Sequence, residues 1–400
     1  MKKILMVTNI FPIPDISLMN STFVCYYFAK EWAKMGHEVV VAYNYGIYAS
    51  VLHLLAHFFE KKISSVFPTV INKKRFTKKK QYELGGIKVI LLPCYKFLPK
   101  IPFPKRTIER QVWEIQKLNR ELGFQPDIIV GHFLHPSLEI VSSLRTVYNA
   151  RTAIILHGEI SGHNKSDINK IKLLKENIDI WGYRSHPIRK SFERFIDANV
   201  NSFMCFSGIP LEYISQDSYM KIDKDDVRKY IYVGNLIKRK YPIKIIEALN
   251  RVFGRDNFQL TIVGTGNEER KMRQMVTRLD MRERVVFCGR LQRDIVKEEL
   301  LKSECFIMIS EAETFGLVYL EAMANGCIVI ASKEEGMDGI IKDGYNGFLC
   351  KSGDATELSM IISKIRQLSR SEKVIISQNA IDTAMHMTDA KMAQEYINNL

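Results

Sequence analysis

Short runs of β-branched and aliphatic residues recur along the chain: KILMVT, HEVVVAY, IKVILLP, DIIVGH, TAIILHG and SFMCFSG, then YIYVGN, LTIVGTG, VVFCG, CFIMIS and CIVIAS. Longer segments with helical patterns separate them. Continuous apolar strands alternating with helices predict parallel sheets covered on both faces, an α/β architecture. The runs fall into two sets, divided by GIPLEYISQDSYMKIDKDDVRK, which is polar, holds a proline and lacks a long apolar run. It reads as a linker over residues 211–229. The expected organisation is a first Rossmann-like domain over 1–210, a second over 230–370, and a strandless helical tail over 371–400. That tail either caps the second domain or crosses back to the first.

Length agrees with this division, since 400 residues with 46% hydrophobic content exceed what one compact core usually organises. Two doubly wound domains facing a central cleft are therefore expected. The opening MKKILMVTNIF reads as a buried strand and not a signal peptide, because Pro12 and Pro14 interrupt the apolar run. No stretch reaches the ~18 apolar residues of a membrane span. The seven cysteines are odd in number, scattered and without paired metal-ligand spacing, which predicts free thiols, no structural zinc and a cytoplasmic chain.

The net charge of +14 is local in origin: from Glu60 to Arg110 there are fourteen Lys and Arg against three acids. Just upstream, IYASVLHLLAHFFEKKISSVF presents a broad apolar face of Val51, Leu52, Leu54, Leu55, Phe58 and Phe59. A core helix explains the face but not the adjacent charge. An interfacial helix on an anionic membrane explains both, so residues 47–110 are expected to hold the protein peripherally on the inner face of the cytoplasmic membrane. A basic nucleic-acid-binding protein is the rival from another class, but no RNA- or DNA-binding motif accompanies the charge.

The stretch from Cys305 to Ser332, CFIMISEAETFGLVYLEAMANGCIVIAS, reads as strand, loop, short helix and strand. The helix should start near Phe315 or Gly316 and stop at Asn325-Gly326. Its N-terminus at the end of a parallel strand offers free N–H groups and a positive dipole end to a diphosphate. Glu313 and Glu321 bracket that start, and a carboxylate accepts two hydroxyl hydrogen bonds at once, which suits vicinal hydroxyls of sugars. As an isolated pair they would be ordinary helix-end acids.

SEAETFGLVYLEAMANG, however, closely resembles the glutamate-seven-residues-glutamate signature of family 4 glycosyltransferases, retaining enzymes of the GT-B fold. The likeness continues through YVGNLIKRK, LTIVGTGNEER, VVFCGRL and GMDGIIKDGYNGFL, and more weakly through MGHEVVV, PDIIVGHF and LHGEI. It implies transfer of a hexose-type sugar from a nucleoside-diphosphate sugar, with UDP favoured, to a hydroxyl of a glycan or lipid-linked glycan, without cofactor or metal. By the same resemblance Glu321 would hold the donor ribose and Glu313 the sugar hydroxyls. The backbone of Thr314, Phe315, Gly316 and Leu317 would line the sugar and diphosphate, and Gly264 and Gly266 would flank the nucleotide. Lys240 would neutralise the leaving diphosphate, and His157 in LHGEI would stand near the donor sugar. Without the resemblance His157 reads as a structural histidine after a strand, as do His132 and His135.

Three positions depart from the family pattern. Asn235 stands where a cationic phosphate ligand is usual, with Lys238 and Arg239 as substitutes close by. The first loop reads SLMNSTF without its usual glycines, and Cys327 replaces a frequent proline. A nucleotide-sugar epimerase of the same fold is the nearest alternative activity. GTGNEE lacks the third glycine of a dinucleotide fingerprint, and Asp223, Asp225 and Asp226 read as surface acids of the linker.

Overall fold

The computed structural model describes residues 1–14, 22–50, 75–96, 102–214, 218 and 226–400. Residues 51–74, which carry most of the amphipathic run and part of the basic segment, lie outside that set, as do Asp223, Asp225 and most of SLMNSTF. The chain forms two compact units. Unit 1 comprises Met1–Arg184, Ile188–Cys205 and Met392–Leu400, and unit 2 comprises Ser185–Pro187 and Phe206–Lys391.

Unit 1 is built on an eight-stranded sheet: β1 (Lys3–Thr8), β2 (Glu38–Ile47), β3 (Lys80–Leu84), β4 (Ile87–Tyr95), β5 (Ile128–His132), β6 (Arg151–Leu156), β7 (Ile180–Tyr183) and β8 (Ser202–Met204). The spatial order is β3-β4-β2-β1-β5-β6-β7-β8, parallel throughout except that β3 pairs antiparallel with β4. The sequence pattern foreshadows neither β3 nor β7. KQYEL is polar because β3 is an edge strand with only partly covered side chains, and IWGY is too short to stand out as a run. The central strands are apolar without interruption because helices cover both faces. These include α1 (Val24–Lys34), α2 (Lys105–Glu121), α3 (Ser137–Arg145), α4 (Lys165–Leu174) and α5 (His186–Phe195). Leu5, Val7, Val40, Ile129, Ile154 and Trp181 are among the fully enclosed side chains of one such layer. Each buried aliphatic of this kind contributes about 1.5–3 kcal/mol relative to exposure.

Unit 2 has six parallel strands in the order β11-β10-β9-β12-β13-β14: β9 (Lys229–Val233), β10 (Gln259–Val263), β11 (Val285–Gly289), β12 (Cys305–Ile307), β13 (Ile328–Ser332) and β14 (Phe348–Cys350). Its helices are α6 (Pro242–Phe253), α7 (Glu269–Arg278), α8 (Arg293–Lys302), α9 (Leu317–Ala324), α10 (Ala355–Gln367) and α11 (Arg370–His386). Local chemistry sets several of their starts. Pro242 occupies the first turn of α6, Asp354 caps α10, and Ser369 with Glu372 forms a reciprocal capping box on α11. Asp226, the described acid of the DKDD run, accepts two hydrogen bonds from Arg366 on α10, at 2.9 and 3.0 Å.

The last helix, α12 (Asp389–Asn399), brings the chain back to unit 1 at Met392. Tyr396 packs edge-on against Phe28 and Trp32, with ring centroids 5.0 and 4.8 Å apart, and the Trp32 indole donates to the Ala393 carbonyl at 3.0 Å.

Candidate functional site

In an open α/β sheet the strand order reverses at one point, and the loops leaving the carboxyl ends of the two flanking strands splay apart there. Unit 2 reverses between β9 and β12. The loop after β9 carries Asn235 to Lys240, and the loop after β12 carries Met308 to Gly316. These two loops bring Lys240 and Glu313 together, Nζ to Oε2, at 3.1 Å, with both side chains largely covered. The Ser310 hydroxyl lies 3.4 Å from the same carboxylate oxygen. Arg239 adds a second cation, with Nη1 3.9 Å from that oxygen and hydrogen-bonded to the carbonyls of Glu311 and Ala312 at 3.0 and 3.2 Å. Asn235 itself is exposed, and its carbonyl accepts the Tyr232 hydroxyl. Of the three cations in this loop, Arg239 and Lys240 stand against the Glu313 carboxylate and Lys238 is exposed.

The loop before α9 is fixed from below. Glu335 accepts the backbone N–H groups of Ala312 and Glu313 at 3.0 and 2.7 Å. Gly316 then starts α9 with φ +85°, a left-handed conformation that L side chains rarely adopt, and a Cβ there would meet the Tyr319 ring at 2.5 Å. Phe315 turns its ring into the core, so this residue offers a ligand only its backbone. Thr314 and Leu317 are partly covered. Gly264 serves a different need, because a Cβ would fall 1.9 Å from the Gly234 carbonyl oxygen. Gly266 abuts Leu236 in the same way, so both glycines let the β10 loop lie against the β9 loop that carries Lys240.

Glu321, on the second turn of α9, is buried and accepts hydrogen bonds from Arg293 at the start of α8, 2.7 Å from Nη2 and 3.2 Å from Nε. The Arg293 guanidinium also lies over the Tyr213 ring. The sequence reading missed Arg293 because no local pattern links it to a glutamate on another helix.

His157 lies in unit 1, whose own reversal point falls between β1 and β5. Its Nε2 is 3.0 Å from His132 Nδ1, and the Phe133 ring stacks on it with centroids 4.0 Å apart. His132 Nε2 lies 3.3 Å from the Tyr396 hydroxyl of α12. The sequence reads His132 as structural, and its contacts with His157 and Tyr396 agree with that role. Burial, then the positive field of Arg184, pushes the His132 imidazole down to about 3. Burial, then His132 and Arg184, lowers His157 well below the usual histidine range.

The His132 imidazole is neutral in the folded chain at pH 5 and regains a value near 6.5 on unfolding, so the unfolded state binds more protons below that pH, and the lowered His157 acts in the same direction. The stability His132 confers is complete above about pH 6.5 and is lost as pH falls toward 3. The expected slope is about 1.4 kcal/mol per pH unit for His132. Urea unfolding of unit 1 followed at pH 7.5, 6 and 5 checks this. A His132→Phe variant whose stability is just as pH-sensitive would contradict it.

Burial pushes the thiols of Cys25, Cys94, Cys205 and Cys350 up to about 12, which makes them packing groups and not nucleophiles.

A family model described as "Glycosyl transferases group 1" matches residues 218–382. N-acetyl-alpha-D-glucosaminyl L-malate synthase of Bacillus anthracis is 28% identical over 245 residues, covering 58% of this chain and 62% of its own length. A lipopolysaccharide core biosynthesis glycosyltransferase of Rhizobium meliloti is 32% identical over 133 residues, 33% of this chain and 38% of its own. The chain thus spans less than two thirds of the length of these curated relatives. Among solved structures, sucrose-phosphate synthase from Thermosynechococcus elongatus superposes with a TM-score of 0.71 at 17% identity, covering 99% of this chain and 98% of that one. The Anabaena protein HepE in complex with UDP gives 0.71 at 16%, covering 100% and 99%. At such identities the likeness establishes the fold, which is GT-B.

Proposed function

We propose, from the match of residues 218–382 to the group 1 glycosyl transferase family model, that the chain moves a hexose-type sugar from a nucleoside-diphosphate sugar to a hydroxyl with retention of configuration. One observation carries the reading: Lys240 and Glu313 meet at the reversal point of the unit 2 sheet, directly before the helix that holds Glu321. A diphosphate oxygen placed against Lys240 and the first N–H groups of α9 has its charge matched by an ammonium and a helix dipole. Glu313 then takes sugar hydroxyls, and Glu321, set by Arg293, takes the ribose. UDP is the favoured nucleotide, supported by the HepE complexes with UDP and UDP-glucose.

For the acceptor we favour a lipid-linked glycan of surface polysaccharide synthesis, presented at an anionic membrane. In support, Lys78, Lys79, Lys80, Lys105, Arg106 and Arg110 are exposed in unit 1, and Trp113 is half-exposed on α2. No helix among the described residues is long and apolar enough to cross a membrane.

The test incubates the purified chain with a panel of UDP-, GDP- and ADP-sugars, with and without lipid-extract vesicles. Release of nucleoside diphosphate from one donor, accelerated by vesicles and giving a product of unchanged anomeric configuration, is expected. Conversion of free donor to its epimer without diphosphate release would replace transfer with epimerisation. In flotation, binding to anionic but not to neutral vesicles is expected. Equal partition from both would remove the membrane acceptor.

A further inference from the structure

A second cluster lies in unit 1, at the carboxyl ends of β5 and β6, and the transfer reading leaves it unused. His135 follows β5, and Glu139 lies in the first turn of α3. His163 precedes α4, whose cap Asn164 accepts the Asp167 backbone N–H at 2.9 Å. One nitrogen of each histidine and one Asp167 carboxylate oxygen all lie within 4.8 Å of one another. His163 Nδ1 and Asp167 Oδ2 are 3.6 Å apart. That is long for a hydrogen bond, yet it is close to the ~3.4 Å separating two ligand atoms held about 2.0–2.1 Å from one tetrahedral metal ion.

The state of His135 argues further. Its Nδ1 lies 2.9 and 3.0 Å from the two oxygens of Glu139, so the ring proton belongs on Nδ1 and the lone pair on Nε2. Lys170, with Nζ 3.0 Å from the same carboxylate, keeps Glu139 an acceptor. Nε2 is buried and has no hydrogen-bond partner among the described residues. A buried lone pair without a donor is unfavourable unless something binds it. A histidine whose far nitrogen is fixed by a carboxylate is the usual arrangement around a protein metal ligand.

We propose that His135 through Nε2, His163 through Nδ1 and Asp167 form a divalent-cation site, best matched to zinc, with Glu139 and Lys170 positioning His135. Two imidazoles and one carboxylate suit a borderline-soft ion that takes four ligands, and they leave one position for water or an anionic oxygen. The cysteine spacing and the family resemblance both led to the expectation of no metal. Neither bears on this cluster, which the fold assembles from two separate loops.

The test uses the full chain, stripped with chelator, dialysed and titrated with zinc alone by calorimetry. One equivalent per chain is expected. His163→Ala and Asp167→Asn should each weaken binding by at least about 100-fold, and Glu139→Gln by about 10-fold. Cobalt should give a visible d–d band in the wild type that His163→Ala loses. Melting of each variant in chelator, compared with wild type, separates loss of ligand from loss of fold. No saturable zinc binding by the wild type, or binding unchanged in both folded ligand variants, would overturn the site. Because the readout is metal binding, its failure leaves the glycosyl-transfer reading where it stands.

Discussion

Replacing Lys240 with alanine is expected to lower kcat by roughly 10²–10³-fold while raising the donor KM only about threefold. The asymmetry follows from when the ammonium is needed. Lys240 is paired with Glu313 at 3.1 Å, so a ground-state diphosphate gains little from drawing it away. As the sugar–phosphate bond breaks, negative charge builds on the departing oxygen, and a largely covered cation beside it is worth far more than in water. Arg239 lies farther from the carboxylate and is tied to two carbonyls, so it compensates incompletely. Lys240→Gln removes the charge while filling the same space, and it should behave like alanine if charge is what matters. Steady-state diphosphate release over a range of donor concentrations measures both constants. A raised KM with unchanged kcat would reduce Lys240 to a binding residue.

The second large effect separates the two glutamates. Glu321→Ala should weaken binding of free UDP about 10- to 100-fold, the equivalent of losing charged hydrogen bonds of roughly 1.5–3 kcal/mol. It also leaves Arg293 without its carboxylate, so Glu321→Gln, which keeps an acceptor for Arg293, is the companion variant. Glu313→Ala should leave free UDP affinity within about twofold, because the sugar is absent, yet cut turnover with the intact donor about 100-fold. Calorimetry with UDP and kinetics with the donor distinguish the two. Equal losses of UDP affinity in both variants would mean that the carboxylates do not divide the ligand between ribose and sugar.

Much of this was legible before any coordinates. Eleven of the strands announce themselves as apolar runs, because a parallel strand buried on both faces has no polar side to show. The short helix starting near Phe315 or Gly316 is equally visible in ETFGLVYLEAMANG, although the left-handed φ of Gly316 is not. Strands such as β3 and β14 were not, since an edge strand of partly covered polar residues and a strand of three residues carry no periodic signal. Gly264 and Gly266 could be noticed as glycines beside a strand, but their reason, the backbone of a neighbouring loop at 1.9 and 2.2 Å, lies in no local pattern.

By itself the sequence determined two α/β halves, the signature helix and the identity of the acids and the lysine around it, because hydrophobic period, glycine punctuation and residue type are local properties. Tertiary structure alone decided which of those groups touch. Lys240 reaches Glu313 across 73 positions, Arg293 clamps Glu321 from another helix, and Tyr396 returns from the far end of the chain to His132. His135, His163 and Asp167 likewise become one cluster only when two βα loops leave neighbouring strands on the same side of a sheet. Such pairs are set by strand order and the direction of crossover, which fix where chain segments distant in sequence end up side by side.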